Sequence, residues 1–567
     1  MKEFTRQKSF SFPSILGLSF TVIALLKFSC SLGLPFEQSV GLAEHLKQTL
    51  LVYVIEFIVY FASLIYLFRS LKLKINQQGS ATQSFFSTQA LDIPEPNRKQ
   101  KSTQFGVKPW MLYLFLLLSR VAWWTAPPSA SEDVWRYLWD GERVYQAESV
   151  YTLAPSQIQL SMETVNDHTR QEIKNRIGHA EIPTVYPPSA QLIFAFSTIL
   201  SNAIESYVIK PWCTPMSLSK QSILRLKIKL IIWRILLLLA DLAILAVLIS
   251  ICRVQAYSLA PIIIYALSPL IAFESSLAGH LDLFGIAFML LSLRLTLNGR
   301  QFMAGTLLGV AILIKFIPSF LLISLIMLKL KNQYFVHLQT DQDLEFKHRH
   351  MFENIGLYLL GLLSSVLILC LPFLSELISF HGVWPGLKAY STHWSFNGSI
   401  YPLLQTLIDV YLLPHNWELS RLLTKGTLGV CLMMSTVIYA FKLKPQSKDL
   451  FRVLNQVILF ALSGLFFCSP VVFTWYLQWL IPFIVLAVYP YQAGALHKYA
   501  ESKLCIILVL WSFLANLTYI PRYELLCGKD WRFNVLWTML EYGILALTLL
   551  LIKGYSLYYS HEVGSNK

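Results

Sequence analysis

Charged residues are scarce in this chain of 567 residues. They make up 14% of the sequence, whereas soluble domains carry about 25%. Hydrophobic residues make up 55%, and the mean hydropathy is +0.53. Many apolar runs reach the roughly 18–20 residues that are needed to cross a bilayer core. The composition therefore excludes an ordinary soluble protein and predicts an all-α polytopic membrane protein.

The sequence also lacks the motifs of several common sites. Its eight cysteines are scattered without a CxxC pair, and its histidines form no HExxH motif, so neither a zinc site nor a disulfide framework is indicated. No Gly-rich loop follows a strand, and no soluble domain is evident that would bind a nucleotide sugar. The net charge of +14 comes from loops between apolar runs, where basic residues orient the spans. We therefore expect no nucleic-acid partner.

The apolar runs predict roughly 13 membrane crossings. The first run, 12–34, is long and lacks a small-residue cleavage site, so we expect a retained span rather than a cleaved signal peptide. A second run, 49–68, returns across the membrane. Residues 69–108 hold seven bases and two acids and predict a flexible cytoplasmic linker.

The predicted organisation has four parts. They are two N-terminal spans (1–68), the linker (69–108), a catalytic membrane module (109–490), and C-terminal spans with a tail (491–567). The first large loop of the module, 127–185, holds nine acids and five bases, in contrast to the linker. This asymmetry predicts that the loop lies on the non-cytoplasmic side, which is the periplasm if the protein resides in a bacterial inner membrane.

The outer loop 127–185 opens on an acidic, aromatic-rich stretch. If Ser131 caps a helix that begins at Glu132, four charged residues fall on one face, namely Asp133, Arg136, Asp140 and Arg143. Trp135 and Trp139 occupy a neighbouring face suited to a membrane–water interface. A carboxylate here could act as a general base toward a sugar hydroxyl, and a guanidinium could bind phosphate. The alternative is an amphipathic surface helix whose charges neutralise each other.

A second polar cluster borders an apolar run at 266–282. It contains Glu274, His280 and Asp282. Ionisable groups near spans are costly and usually face a cavity, although helix-end residues in headgroup water give the same pattern. Lys315 interrupts a later apolar stretch and either snorkels to the interface or offers a charge to a lipid phosphate. The side of the membrane on which the cluster lies stays open, because it depends on whether 302–329 is one helix or is broken at Lys315.

Aromatic residues concentrate in two later segments. Trp475 and Tyr476 begin a dense aromatic run, which predicts either an interface belt or the wall of a substrate groove. The loop 374–400 carries His393, Trp394 and Asn397 and has the same two interpretations. The sequence Asn397-Gly-Ser399 also matches a glycosylation acceptor.

Several motifs follow one another across about 350 residues. They are Asp133-Val-Trp-Arg-Tyr-Leu-Trp-Asp140-Gly141, Tyr151 with Pro155, Tyr186-Pro187-Pro188, Pro269 with Glu274, Gly279-His280-Leu-Asp282, Lys315 with Pro318, and Pro470 with Trp475-Tyr476 and Trp479-Leu-Ile-Pro482. Together they resemble the GT-C superfamily of integral membrane glycosyltransferases, and most closely the polyprenol-phosphate-mannose-dependent mannosyltransferases and the glycosyltransferase 87 group. The resemblance implies a helical fold, a lipid-phosphate sugar as donor, and a catalytic acid at the first Asp of the outer loop, Asp133.

The leading hypothesis is an inverting glycosyltransferase that acts on the non-cytoplasmic face. Asp133 would deprotonate the acceptor hydroxyl, and Arg136, Lys315 and His280 would stabilise the departing lipid phosphate. Expected partners are membrane lipids, a lipid-linked sugar donor and a glycan or lipid acceptor. No cofactor is expected with certainty apart from the polyprenyl-phosphate-linked donor. Asp140 and Glu142 could orient the substrate or hold a divalent cation. The expected site comprises the catalytic residues Asp133 and Asp140 and the substrate-binding residues Arg136, Trp139, Glu142, Tyr186, Glu274, His280, Asp282, Lys315, Trp475 and Tyr476.

Two other classes of protein remain open. A transporter or lipid flippase would use Glu274, His280 and Asp282 to bind substrate or protons, and it would tolerate loss of Asp133. A membrane polysaccharide polymerase or ligase would depend on histidines of a later loop, His381 and His393.

Overall fold

The computed structural model describes eleven stretches of the chain. Over these residues the protein is helical and contains no strand, and the one isolated β-bridge found there joins Phe396 to Val471. The predicted all-α class is confirmed for this part of the chain. The described residues are 22–27, 39–86, 108–209, 217–255, 257–326, 344–378, 383–414, 416–442, 450–488, 499–529 and 535–565. Most of the predicted first span, the linker residues 87–107, part of the charged loop at 330–351 and His381 lie outside them.

The helices that are used below are numbered here in chain order. They are α1 (Ser39–Phe86), α2 (Pro109–Val121), α3 (Asp133–Tyr145), α4 (Val165–Lys174), α5 (Pro188–Ile204), α6 (Leu218–Val254), α7 (Ala260–Leu277), α8 (Asp282–Leu297), α9 (Gln301–Ile312), α10 (Leu344–Cys370), α11 (Val383–His393), α12 (Ile400–Tyr411), α13 (Trp417–Lys442), α14 (Leu450–Cys468), α15 (Thr474–Ala487), α16 (Tyr499–Leu514) and α17 (Val535–Ser565).

Among the described residues, eight helices are long and apolar enough to cross a membrane. They confirm a multi-pass membrane protein, whereas the predicted count of about 13 crossings is not confirmed. Three further apolar helices, α2, α9 and α15, are shorter. The eight candidate spans are Gly41–Tyr66, Leu218–Val254, Ala260–Leu277, Phe352–Ile378, Trp417–Lys442, Phe451–Cys468, Leu504–Leu526 and Val535–Lys553.

The start of the predicted linker lies within helix α1. Helix α1 continues through residues 69–86, so this part of the predicted linker is helical. The physical reason is local, because leucine, lysine and glutamine favour a helix and the segment 69–86 contains no proline.

Buried ion pairs connect the apolar helices. The Arg120 guanidinium of α2 lies 2.9 Å from Asp241 of α6, and it also donates to the carbonyl oxygen of Ala266 in α7 at 3.1 Å. The Tyr265 hydroxyl donates to the other oxygen of Asp241 at 2.5 Å. Charges inside a membrane protein persist where partners satisfy them, so this network fixes how three helices meet.

The segment after α2 folds into a compact unit formed by α3, α4, α5 and the first half of α6, and we call it the outer module after the predicted outer loop 127–185. The first turn of α5 contacts α3, and its last turn contacts α6. The Gln191 amide donates to Asp140 of α3 at 3.2 Å, and the Asn202 amide oxygen accepts from Lys229 of α6 at 3.1 Å. Helix α5 therefore packs between α3 and α6.

Aromatic packing holds the module together. Tyr137 of α3 stacks on Phe194 of α5, with ring centroids 4.8 Å apart, and Trp233 of α6 lies 5.6 Å from Phe194. Gly141 allows α3 to approach α5 closely, because a Cβ atom there would lie 2.4 Å from the Phe194 carbonyl oxygen. The module thereby presents the first turn of α3 toward the ends of α7 and α8.

A non-helical turn at 313–318 separates α9 from a helical stretch at 319–326. Helix α9 ends at Ile312, and Lys315 lies in the turn. The sequence left open whether 302–329 is one helix or is broken at Lys315, and in the structure the helix is broken there. The break lets Lys315 turn back toward the start of α8.

Candidate functional site

Asp133 is the first residue of α3 and lies where the outer module meets the apolar helices. Its backbone N–H donates to the Ser131 hydroxyl oxygen at 3.2 Å. The helix begins at Asp133, one residue later than predicted, and Glu132 is the N-cap without a side-chain cap. A carboxylate in the first turn is stabilised by the positive end of the helix dipole. The start of α3 thus holds the Asp133 carboxylate in a fixed position.

The Asp133 carboxylate is partly exposed among polar side chains. Its side chain is 37% exposed, while the Tyr186 hydroxyl donates to its Oδ2 at 3.4 Å and His280 Nε2 lies 3.9 Å from the same oxygen. Burial by the surrounding protein raises the pKa of Asp133 to about 6. The Lys315 ammonium and the Tyr186 hydrogen bond oppose this rise, whereas Glu132 and Asp282 add to it. Asp133 is consequently a base that is ionised near neutral pH and can still hold a proton.

His280 is fully buried beside Asp133 and is held from two sides. Its Nε2 lies 3.1 Å from the Ser131 hydroxyl, and its Nδ1 lies 2.9 Å from Glu274 Oε2, although without hydrogen-bond alignment. The Tyr519 hydroxyl reaches both oxygens of Glu274 at 2.9 Å. Burial and the Lys315 ammonium lower the pKa of His280, which keeps the imidazole neutral.

The backbone before His280 explains its placement. Residues Ala272–Leu277 form a π-helical end to α7, a feature that is common at functional sites. Gly279 follows with φ +82°, a conformation that glycine adopts without steric cost. A Cβ atom at Gly279 would lie 3.2 Å from Val134 of α3. The turn therefore brings α3 and the end of α7 into contact.

Lys315 and Asp282 form an ion pair close to Asp133 and His280. Lys315 Nζ lies 2.6 Å from Asp282 Oδ1, and the Trp479 indole N–H donates to that oxygen at 2.6 Å. The ammonium is also 4.2 Å from the centre of the Tyr476 ring. The Lys315 side chain is 18% exposed, and Asp282 Oδ2 is buried without a hydrogen bond to any described residue. The pair offers one reachable cation and one unused acceptor.

Trp475 packs flat against His280, with centroids 3.9 Å apart and ring planes at 18°. Tyr476, the next residue, exchanges a hydrogen bond with the Tyr390 hydroxyl of α11 at 2.6 Å. The structure thus connects eight of the residues expected from sequence through direct contacts. They are Asp133, Tyr186, Glu274, His280, Asp282, Lys315, Trp475 and Tyr476.

Four other expected site residues lie elsewhere, within the outer module. Arg136 pairs with Asp140 at 2.9 Å and donates to the Ile182 carbonyl oxygen at 2.9 Å. Asp140 is fully buried and also accepts from the Thr184 hydroxyl. Seven residues along α3 separate Asp140 from Asp133, which is about 10 Å. The roles of Arg136 in phosphate binding and of Asp140 in catalysis stay predictions, and the two side chains pair with each other inside the module.

Trp139 and Glu142 are likewise enclosed. The Trp139 ring is buried beneath the Arg170 guanidinium, 5.3 Å from the ring centre, and Glu142 forms a buried ion pair with Lys229. Trp135 is buried too, so the predicted interfacial tryptophan face is wrong. Helix α4 folds over α3 and covers both indoles.

Sequence reasoning missed several residues of the site. Tyr519 contacts Glu274 across 245 positions of sequence, and Ser131, expected only as a cap, contacts His280. Arg234 donates to the carbonyl oxygens of Ala126 and Leu277 and so joins the approach to α3 with the end of α7. No local pattern marks such residues, since each is an ordinary tyrosine, serine or arginine in its own segment.

The arrangement has defined chemical capacities. It supplies an accessible carboxylate with a raised pKa and a neutral imidazole beside it, with the Lys315 ammonium close to both. His280 and Asp282 lie close to Asp133 at the start of α3. Among the described residues, no group of three or more His, Cys, Asp or Glu side chains could hold a metal ion. In comparisons with protein-family models, curated proteins and solved structures, none matches this chain.

Proposed function

We propose that this protein is a membrane glycosyltransferase. It transfers a sugar, which the sequence resemblance suggests is mannose, from a polyprenyl-phosphate donor to a hydroxyl of a glycan or lipid-linked acceptor. The reaction takes place on the non-cytoplasmic face and inverts the anomeric configuration. The observation that carries the proposal is the Asp133 carboxylate, open to solvent at the start of α3 and surrounded by Tyr186 and His280.

Asp133 would serve as the general base. As the acceptor oxygen forms a bond to the anomeric carbon, the bond from that carbon to the phosphate oxygen breaks, and the acceptor proton passes to Asp133. General-base catalysis of this kind contributes about 10²–10⁴-fold. A pKa of about 6 suits the role, because the group is ionised before the reaction and remains basic enough to take the proton.

Lys315 would stabilise the departing phosphate. Negative charge grows on that phosphate as the sugar leaves, and a fixed cation lowers the energy of this state. The ion pair with Asp282 and the contact with the Tyr476 ring hold the ammonium in place. We assign this role to Lys315 rather than to Arg136, because Arg136 is buried and pairs with Asp140 and the Ile182 carbonyl oxygen.

The test is transfer of mannose from polyprenyl-phosphate mannose in membranes that contain the Asp133→Asn variant. We expect turnover to fall by about 10²–10⁴-fold. Glu163→Gln is the matched control, since it neutralises an exposed carboxylate of the same loop and should leave turnover unchanged. Normal turnover in Asp133→Asn at equal protein level would reject the proposal.

The other two classes make different demands on the same residues. In a transporter, Asp133→Asn would leave transport intact while changes at Glu274 or His280 would abolish it. In a polymerase or ligase, His393 would be essential, yet this side chain is exposed and packs beside Trp417 of α13, with ring centroids 5.8 Å apart. Testing His393→Ala together with Asp133→Asn therefore separates the three classes.

A further inference from the structure

Four rings form a continuous stack that ends at His280. Trp475 lies 3.9 Å from His280 on one face and 4.3 Å from Phe473 on the other, with planes at 18° and 7°. Phe473 in turn stacks on Phe396 at 4.9 Å and 30°. Because both faces of Trp475 are covered, its indole cannot serve as a flat platform for a sugar. Its contacts instead set the position of the imidazole.

Asn397 follows Phe396, the ring at the end of the stack opposite His280, and it is held in place by hydrogen bonds. This residue is 2% exposed and has φ +52°, a left-handed conformation that asparagine tolerates. Its amide N–H donates to Glu541 Oε2 of α17 at 3.0 Å, and the Thr538 hydroxyl donates to its Oδ1 at 2.9 Å. The Tyr542 hydroxyl donates to its carbonyl oxygen at 3.1 Å. Burial of Asn397 also contradicts its predicted role as a glycosylation acceptor, since that amide must be at the surface.

Backbone hydrogen bonds of Phe396, the neighbour of Asn397, connect this residue to the stack. The Phe396 N–H donates to the Pro470 carbonyl oxygen at 2.9 Å, and the Val472 N–H donates to the Phe396 carbonyl oxygen at 2.8 Å. Phe396 and Phe473 therefore belong to one unit of paired backbone. Movement of Asn397 would shift both rings and, through Trp475, the imidazole of His280.

Helix α17 needs this connection more than most helices do. Within its apolar stretch, Val535–Lys553, only 11% of the residues in an 18-residue segment are buried in the protein. Glu541 is nevertheless fully buried, and its Oε1 accepts from the Trp511 indole N–H at 2.7 Å. A carboxylate in such a helix is costly, and an apolar contact would hold the helix as well. What the carboxylate adds is a directional contact to Asn397.

We propose that Asn397 and Glu541 are positioning residues that hold His280 beside Asp133 through the stack of Phe396, Phe473 and Trp475. The proposal rests on the proposed transfer reaction for its effect on rate. Its structural part stands apart from that reaction, because the position of His280 can be measured directly.

The experiment exchanges the two partners. Glu541→Gln leaves one of the two N–H donors, from Trp511 or Asn397, without an acceptor, and Asn397→Asp sets two carboxyl groups against each other. The double variant Asn397→Asp/Glu541→Gln restores a donor facing an acceptor and keeps the number of acidic groups. Each full-length protein is purified in nanodiscs and treated with diethyl pyrocarbonate, and carbethoxylation of His280 is followed by peptide mass spectrometry. The exposed His179, whose side chain is 65% exposed, is the internal reference.

We expect His280 to be protected in the wild type and to react about tenfold faster in each single variant, because loss of a hydrogen bond to a charged group favours local opening. The double variant should return toward the wild-type rate. In the transfer assay, each single variant should lose about tenfold in kcat with KM within about twofold. Labelling of His280 at the wild-type rate in both single variants, failure of the double variant to restore protection, or faster labelling with unchanged kcat would each overturn the inference.

A milder pair of variants covers the case in which a single exchange fails to fold. Thr538→Val removes only the hydroxyl that donates to Asn397, whereas Thr548→Val removes a hydroxyl of the same helix that donates to its own backbone at Ile544. Faster labelling of His280 in the first variant alone supports the proposal, and equal labelling in both opposes it. If wild-type protein transfers no mannose, the proposed function fails while the labelling result still decides the role of Asn397 and Glu541.

Discussion

Replacing Tyr186 by phenylalanine should shift the acidic limb of the pH–rate profile to higher pH. The Tyr186 hydroxyl donates to the Asp133 carboxylate at 3.4 Å, which lowers the pKa of Asp133, while burial raises that pKa to about 6. The wild-type rate should therefore reach half its plateau near pH 6. About a tenth of Asp133 is ionised one unit below its pKa and about nine tenths one unit above, so the rate should fall about tenfold from pH 7 to pH 5.

The size of the shift follows from the hydrogen bond that is lost. A bond to a charged group contributes about 1.5–3 kcal/mol, and 1.36 kcal/mol corresponds to one pH unit. Because 3.4 Å is long for such a bond, we expect a shift of about half a unit to one unit upward. Tyr60→Phe is the matched control, since its buried hydroxyl donates to the Ile264 carbonyl oxygen among the apolar helices, and it should leave the half-point unchanged.

The assay is initial-rate mannose transfer from a saturating lipid-phosphate donor between pH 4.5 and 8, with enzyme integrity checked by return to pH 7. A rate that does not change between pH 5 and pH 7, or a half-point that moves downward in Tyr186→Phe, would refute the assignment of Asp133 as base. The linked effect on folding has a defined sign. Because the folded-state pKa of Asp133 lies above its ordinary value, this carboxyl favours folding in acid, and that contribution is lost as the pH rises through about 6.

Three further predictions concern the scaffold and its orientation. Asp241→Ala should lower the free energy of unfolding by about 3–5 kcal/mol, because it leaves a buried guanidinium without its carboxylate; thermal unfolding in detergent measures this, and an unchanged midpoint would contradict it. Gly141→Ala should lower the unfolding temperature, since its Cβ would lie 2.4 Å from the Phe194 carbonyl oxygen, and wild-type stability would show that α3 and α5 can separate at little cost. In a cysteine-free background, an impermeant thiol reagent should label Leu153→Cys in intact cells and Arg300→Cys only after lysis, and the reverse order would invert the proposed orientation.

Local patterns in the sequence predict the membrane class and single out most of the residues that the structure brings together. Hydropathy identifies apolar helices because each span needs about 20 apolar residues in a row. The cluster of Glu274, His280 and Asp282 also stands out locally, because ionisable groups are unusual beside an apolar run. Asp133 was singled out by its motif after an early span, and the structure places it next to His280.

Charge spacing along α3 was a poorer guide. The i, i+4 spacing of Arg136 and Asp140 was interpreted as one functional face with Asp133, yet the same spacing lets these two side chains neutralise each other. The tryptophans were assigned to an interface because indoles are common there. Neither pattern contains the information that α4 folds back over α3 and buries Trp135 and Trp139.

The sequence alone determined that this is a multi-pass helical membrane protein, because hydrophobicity and helical periodicity act over about 20 neighbouring residues. Only the tertiary structure decided which charged residues share a site. Asp133 and His280 are separated by 147 positions of sequence and Asp282 and Lys315 by 33, and their contacts depend on the π-helical end of α7, the turn at Gly279 and the break after α9. The free energy of placing a charge near a membrane depends on the partners that folding brings to it, and those partners come from distant parts of the chain.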